Sequence, residues 1–207
     1  MADPCIFVLG GTNGAGKSSI AGHMVRATDS EYFNPDEVAR QIGEANPNLS
    51  ISEANAAAWQ EGRRLLERAI AERIDYTFET TLGGNTITRL LEQALDSGME
   101  VRIWYAALAS PEMHIARVRA RVAKGGHDIP EADIRRRYDD SRRNLIRLLP
   151  ALTELYLYDN SIEADPARGK MPQPRLLLHV LRRKIKKVDR AGMPNWAKPI
   201  AMAALKL

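Results

Sequence analysis

Residues 11 to 18 read Gly-Thr-Asn-Gly-Ala-Gly-Lys-Ser and follow directly on an apolar run, "CIFVL", at residues 5–9. No other stretch constrains the fold as strongly. Glycine is unfavourable inside helices and strands, so four of them at positions 10, 11, 14 and 16 need a backbone reason. The pattern G-x-x-x-x-G-K-[ST] supplies one when a strand precedes it and a helix follows. Backbone N–H groups then turn inward around a phosphate, and the helix N-terminus adds positive potential. On this reading Gly11, Thr12, Asn13, Gly14, Ala15, Gly16, Lys17, Ser18 and Ser19 cradle a nucleoside triphosphate. Lys17 reaches its outer phosphates and the Ser18 hydroxyl ligates Mg²⁺. A plain strand-to-helix turn needs neither the lysine nor the serine.

The remaining chain alternates apolar runs with amphipathic segments, the pattern of an α/β fold with a mostly parallel sheet covered on both faces. Five strands are expected: 5–9, "EYFN" (31–34), "DYTFET" (75–80), "EVRIWYAAL" (100–108) and "ELYLYD" (154–159). Helices are expected from about Gly16, over "PDEVARQIGEA", through the long stretch after Leu49 with Ser52 as its N-cap, over 86–98 to the stop at Gly98, and from Pro111 onward. Trp59 reads as a core residue of the long helix. The expected organisation is a P-loop core at 1–160 with a small arginine-bearing lid at about 115–140. A helical tail at 161–207 then packs on the core, with a helix near 174–188 and Trp196 pinning the end.

Ligands on such sheets sit beyond the carboxyl ends of the strands, which directs attention to 34–36, 79–84 and the segment after Leu108. Motors and switches are disfavoured as classes. There is no LSGGQ-like signature with a strand ending in paired acids, and no N-K-x-D-type guanine reader. A small kinase with a second substrate and a lid remains. Asp36, at the start of a helix, suits a general base for an attacking hydroxyl, but an acid favoured by the helix dipole occupies the same position. Glu79, Thr80 and Thr81 close the third strand. A glutamate there can hold a substrate hydroxyl or amide, contact a metal through water, or stand in solvent. Arg117 and Arg121 share a helix face ahead of "GGHDIP", a glycine-containing loop suited to a hinge. Arg137 falls on the inward stripe of the next helix, marked by Ile134, Tyr138, Ser141 and Leu145, whereas Arg135 and Arg136 point further round. Arg121 and Arg137 are therefore the candidates for the transferring phosphoryl, against the alternative of a solvated helix laced with ion pairs. His127 reads first as a local hydrogen-bonder.

The net charge of +4 over 207 residues suggests an anionic partner only weakly, and with 6% aromatics and no reading module nucleic acid is disfavoured. No apolar run approaches the ~18 residues that cross a bilayer, so no membrane is expected. The start lacks the marks of a signal peptide, and the lone Cys5 fits a reducing, cytoplasmic setting as a buried strand residue.

Together, "GGTNGAGKSS", "YFNPDEVA", "FETTLGG", "RVAKGGHDIPEADIRRRYDDSRRNL" and "YDNS" resemble the zeta-toxin family of P-loop kinases, in order and spacing, over about residues 5–160. The resemblance implies an ATP- and Mg²⁺-dependent kinase acting on a hydroxyl of a small metabolite, UDP-N-acetylglucosamine in characterised members, and an antitoxin protein as partner. It implies Lys17 as the P-loop lysine, Asp36 as general base, Glu79 as a substrate contact, and Arg121 and Arg137 as lid arginines. One departure is Asn34, where the founding toxins carry an aspartate. Two alternatives stay open beside it: a nucleotide-gated binding protein, and a housekeeping small-molecule kinase on the same scaffold.

Overall fold

The computed structural model describes residues 3–28, 32–162 and 173–207. One six-stranded sheet organises the chain: β1 (Cys5–Gly10), β2 (Tyr76–Thr80), β3 (Glu100–Ala107), β4 (Glu154–Asp159), β5 (Arg175–Leu181) and β6 (Lys184–Val188). Its order is β2-β1-β3-β4-β5-β6. The first four strands are parallel, and β5 and β6 are added antiparallel. Strand β1 lies between β2 and β3, so successive connections leave it toward opposite sides. The loop that follows β1 therefore opens at the switch point where such sheets bind ligands.

Residues alternate between the two faces of β1. Ile6 and Val8 join the larger core with Leu66, Leu91, Leu145 and Ile200. Leu9 joins Ile20, Met24 and Trp104 on the other face. The first face is covered by α3 (Ile51–Glu72), α4 (Asn85–Asp96), α6 (Glu131–Leu148) and α7 (Lys198–Ala204), and the second by α1 (Ser18–Thr28). Helix α2 (Pro35–Ala45) lies against α3, and α5 (Pro111–Val122) with α6 carries a separate small cluster of Ile115, Val118, Ile129 and Ile134. Cys5 is 5% exposed, and burial pushes its thiol up to about 12, which makes it an inert packing residue.

Four expectations change. The segment 31–34 is not a strand of the sheet: Phe33 makes a single bridge to Phe78, and residue 31 lies outside the described residues. Asn34 instead caps α2, its side chain accepting from the Asp36 N–H at 3.0 Å. The N-cap of α3 is Ser50, not Ser52. Ser50 and Glu53 form a reciprocal capping box, which the spacing Ser-x-x-Glu dictates. The tail has no helix at 174–188. That stretch is the β5–β6 hairpin, which extends the sheet beyond β4 and makes it six-stranded, and the only helix of the described tail is α7. Its apolar residues, 176–178, 180–181, 185 and 188, mimic a helical stripe. The turn is formed by Arg182 and Arg183 at φ +45° and +63°, conformations that usually announce themselves as Asn-Gly. Finally, Trp59 is not core. It is 42% exposed and belongs to none of the core clusters.

Candidate functional site

The loop after β1 is shaped by three glycines at positive φ, Gly11 (+141°), Gly14 (+78°) and Gly16 (+73°). A Cβ on each would fall within 2.1 Å of the Ala106 carbonyl oxygen, 2.7 Å of the His114 carbonyl oxygen and 2.3 Å of Asn160 Nδ2 respectively. The loop thus needs glycine for both conformation and approach. Two buried side chains fasten it from outside. His114, fully buried, meets the Asn13 carbonyl with Nδ1 at 2.7 Å and accepts the Leu108 N–H at Nε2 over 3.3 Å. Because Nε2 accepts, Nδ1 carries the proton and the ring is neutral. Burial, with the charges of Lys17, Arg117 and Arg142, lowers its pKa to about 4 against the hydrogen bond to Asn13. Asn160, just past β4, donates to the Ala15 carbonyl at 2.9 Å, and its carbonyl accepts from Arg117 at 2.8 Å.

Lys17 is 8% exposed. Its ammonium donates to the Gly11 carbonyl at 2.8 Å and lies 3.4 Å from Glu79 Oε1. The strand register brings them together, since Leu9 pairs with Glu79 and Gly10 with Thr80. Ser18 and Ser19 are exposed in the first turn of α1. Thr80 and Thr81 accept from the Leu82 and Gly83 N–H groups, holding the turn after β2. Helix α6 steadies the same turn. Ser141 donates to the Thr81 carbonyl at 2.6 Å, and Asn144 donates to the Leu82 carbonyl at 2.7 Å.

Arg121 and Arg137 make different contacts near the glycine loop and the start of α2. Arg137 donates to Asn13 Oδ1 at 2.9 Å and packs on Gly83, where a Cβ would stand 2.7 Å from Arg137 Cγ. Arg121 meets Asp36 Oδ2 at 3.2 Å and the His127 carbonyl at 3.0 Å, and its buried Nε has no partner among the described residues. His127 itself meets Asn55 of α3 at 3.3 Å. Of the other basic residues, Arg119 pairs with Glu131, Arg135 with Glu112 and Arg143 with Asp140, as a solvated helix face would. Lys17, Asp36, Glu79, Thr80, Thr81 and Arg137 all border one cavity of about 820 Å³. Arg121 reaches its edge through Asp36. Of the glycine loop, Asn13 and Lys17 line the cavity.

Sequence reasoning missed His114, Asn160, Arg117 as a loop support, Asn144, and Trp59 on the cavity wall. The sequence places Arg117 only on a helix face with Arg121, and no local pattern marks what any of these residues touches. Their roles come from tertiary placement. Among the described residues no group of three or more His, Cys, Asp or Glu gathers as a metal site, and no helix is long and apolar enough to cross a membrane.

Known proteins share this architecture. A protein of Haemophilus influenzae described as uncharacterized is 34% identical over 138 residues, 67% of this chain and 94% of that one. A crystal structure of AvrRxo1-ORF1:-ORF2 with ATP is similar in fold, with a TM-score of 0.62 at 14% identity. The match covers 98% of this chain, which spans 64% of that protein's length. The PezAT chromosomal toxin-antitoxin system of Streptococcus pneumoniae gives a TM-score of 0.57 at 14% identity, covering 100% of this chain and 85% of the other. The α/β fold with a mostly parallel sheet is thus shared with these structures, and its loop has the P-loop sequence that marks a nucleotide-binding chain. A family model described as AAA domain matches residues 6–142, two thirds of the length, and the protein belongs to that family.

Proposed function

We propose that this protein transfers the γ-phosphoryl group of ATP to a hydroxyl of a small acceptor seated in the 820 Å³ cavity. One observation carries the reading: a carboxylate at a helix start, Asp36, and the P-loop lysine, Lys17, border the same cavity as Arg137 and Glu79. A motor or switch needs no such second chamber beside the outermost phosphate. In the step, the acceptor oxygen attacks γ-phosphorus, the bond to the bridging oxygen of ADP breaks, and the hydroxyl proton passes to Asp36. Lys17, Arg121 and Arg137 place positive charge around the transferring group. Glu79 holds Lys17 in line and faces the acceptor. The exposed Ser18 hydroxyl at the first turn of α1 fits a Mg²⁺ ligand, with phosphate oxygens and water completing the shell. Bound there, the cation would draw negative charge from the phosphates.

The resemblance to zeta toxins makes UDP-N-acetylglucosamine the first acceptor to try, and an antitoxin the first partner. ATP labelled at the γ-phosphate, incubated with a cell metabolite extract, should yield a labelled metabolite with wild-type protein and none with Lys17→Ala. Asp36→Asn should keep nucleotide binding and lose transfer by about 10²-fold or more, the scale of general-base catalysis. No labelled metabolite with wild-type protein sinks the kinase reading, and loss of nucleotide affinity in Asp36→Asn reassigns that residue to the donor side. Growth arrest on expression of wild type, absent with Lys17→Ala, separates a toxin from a housekeeping kinase.

A further inference from the structure

Positive charge is unevenly answered on this chain. Along α6 the arginines meet acids: Arg136 pairs with Asp133, Arg142 with Asp139, Arg143 with Asp140 and Arg147 with Glu92. The β5–β6 hairpin is different. Residues 182–190 hold six basic side chains against one acid, Asp189, which more than accounts for the net charge of +4. That acid is taken by Arg175, and Arg182 is taken by Glu100. Lys184, Lys186 and Lys187 are exposed and form no ion pair among the described residues.

These lysines stand on the outermost strand of the sheet. At the opposite edge, Phe33 bridges β2, its N–H donating to the Thr77 carbonyl at 2.9 Å and its carbonyl accepting from the Glu79 N–H at 2.9 Å. Strand β6 pairs with β5 alone, so among the described residues its outer side is an open edge. The two faces of that edge differ. Ile185 and Val188 lie opposite Val180 and Leu178 of the larger core, whereas Lys184 and Lys187 lie opposite Leu181 and His179. Residues directly opposite in an antiparallel pair share a face. His179 stacks on Tyr156, on the side of the sheet that α1 covers. The edge is thus apolar on one face and cationic on the other. Lysines keep neutral strands from adding to an edge, yet the same charges favour a strand that carries carboxylates. A second copy of this chain would bring two lysine faces side by side, which repel. A polyphosphate would answer the lysines but neither the free backbone nor Ile185 and Val188.

We propose that β6 is a docking edge for an acidic strand of a partner protein, one in which acidic and apolar residues alternate. The partner's backbone adds to β6, its carboxylates face Lys184 and Lys187, and its apolar side chains extend the core past Ile185 and Val188. Strands β3, β4 and β5 lie between this edge and β1, so the docking surface stands apart from the glycine loop and from the phosphotransferase reading.

The full chain is titrated into a fluorescein-labelled peptide of alternating Glu and Val and followed by anisotropy. Two controls run beside it: a peptide of the same composition with Glu and Val in separate blocks, and an alternating Lys and Val counterpart. The alternating acidic peptide should bind saturably and more weakly as salt rises, and should shift the backbone amide resonances of residues 184–188. The controls should not bind. Lys184→Glu combined with Lys187→Glu should weaken the acidic peptide about tenfold or more and should take up the lysine counterpart instead, which also shows that the variant is folded. Alternate amides of a bound strand face β6 and the rest face away. Of two peptides N-methylated on one or the other alternate set, one should lose binding and its twin should keep it. No binding of the alternating peptide, equal binding of the block peptide, or equal affinity of the two methylated forms overturns the docking edge. A thymidine oligonucleotide held through the same lysines, where the alternating peptide is not, overturns it in favour of a nucleic-acid surface.

Discussion

At Gly14 the backbone sits at φ +78° and a Cβ would press to 2.7 Å from the His114 carbonyl oxygen, while the ring of the same histidine holds the neighbouring Asn13 carbonyl. Loop conformation and its support therefore meet at one contact. Gly14→Ala should destabilise the protein by about 1–3 kcal/mol, the scale of a residue forced into a sparsely populated conformation, and should weaken nucleotide binding besides. Chemical melts and AMP-PNP titration check it. His114 adds a pH dependence of definite sign. Its ring titrates near 4 when folded, against 6.5 ordinarily. The unfolded chain thus binds a proton that the folded chain refuses, and stability is complete above about pH 6.5 and falls as pH drops toward 4. Between pH 7 and pH 5 this one group should account for a loss of about 2 kcal/mol. His114→Asn should flatten that part of the profile, and urea melts of both proteins at the two pH values measure the difference. The lysine, serine and glycines of this loop were legible because phosphate chemistry needs them at fixed spacing. His114 and Asn160 were not, because a lone polar residue on a helix or after a strand has no local signal of what it touches.

The elements divide by how far their specification is local. Helix α3 starts where Ser50 and Glu53 satisfy each other's backbone N–H groups, with Glu53 Oε2 also 2.7 Å from Ser50 Oγ. Placing the cap at Ser52 mistakes a serine for the full box, although the box was in the sequence. Ser50→Ala should cost about 1 kcal/mol, read as a lowered midpoint in thermal melts. The β5–β6 hairpin was hidden for a different reason. Its first strand takes β4 as a partner, and its turn runs through Arg182 and Arg183 with no glycine or asparagine to mark it. Both arginines are held by the rest of the molecule, Arg182 on Glu100 and Arg183 on the Leu207 carbonyl. The left-handed backbone is nonetheless unfavourable for a side chain by roughly 1–2 kcal/mol per residue. Arg183→Gly should therefore raise stability by about 1 kcal/mol, net of the added freedom of the unfolded chain. At this chain length that is a midpoint about 2–4 °C higher. An unchanged or lowered midpoint would mean that the contact to Leu207 outweighs the strain.

On the scale of the whole molecule, the sheet is held by an apolar cluster on each face, while the glycine loop, the segment 121–137 and the start of α2 meet α3 and each other through a few polar contacts. Arg121 reaches Asp36, His127 reaches Asn55, and Arg137 reaches Asn13. All three involve exposed or half-buried groups, so each contributes little to folding and is free to exchange for ligand. The strand order and the apolar stripes could be read in sequence because burial imposes a period. The cavity could not, because it arises where three separately specified parts fail to fill the space between them. It follows that nucleotide should stabilise the molecule mostly by tightening this junction. At 100 times its dissociation constant a ligand adds about 2.7 kcal/mol, which for a chain of this size is a midpoint shift of about 5–11 °C. Mg²⁺–AMP-PNP should produce such a shift in wild type and in Asp36→Asn, and none in Lys17→Met. In hydrogen exchange the same ligand should slow residues 121–137 and the start of α2 far more than β1 or β3, which are interior strands paired on both sides. A shift retained in Lys17→Met would move nucleotide binding away from the glycine loop. Protection confined to the strands would mean that the lid does not answer to the nucleotide, and Arg121 would then have no part in holding it.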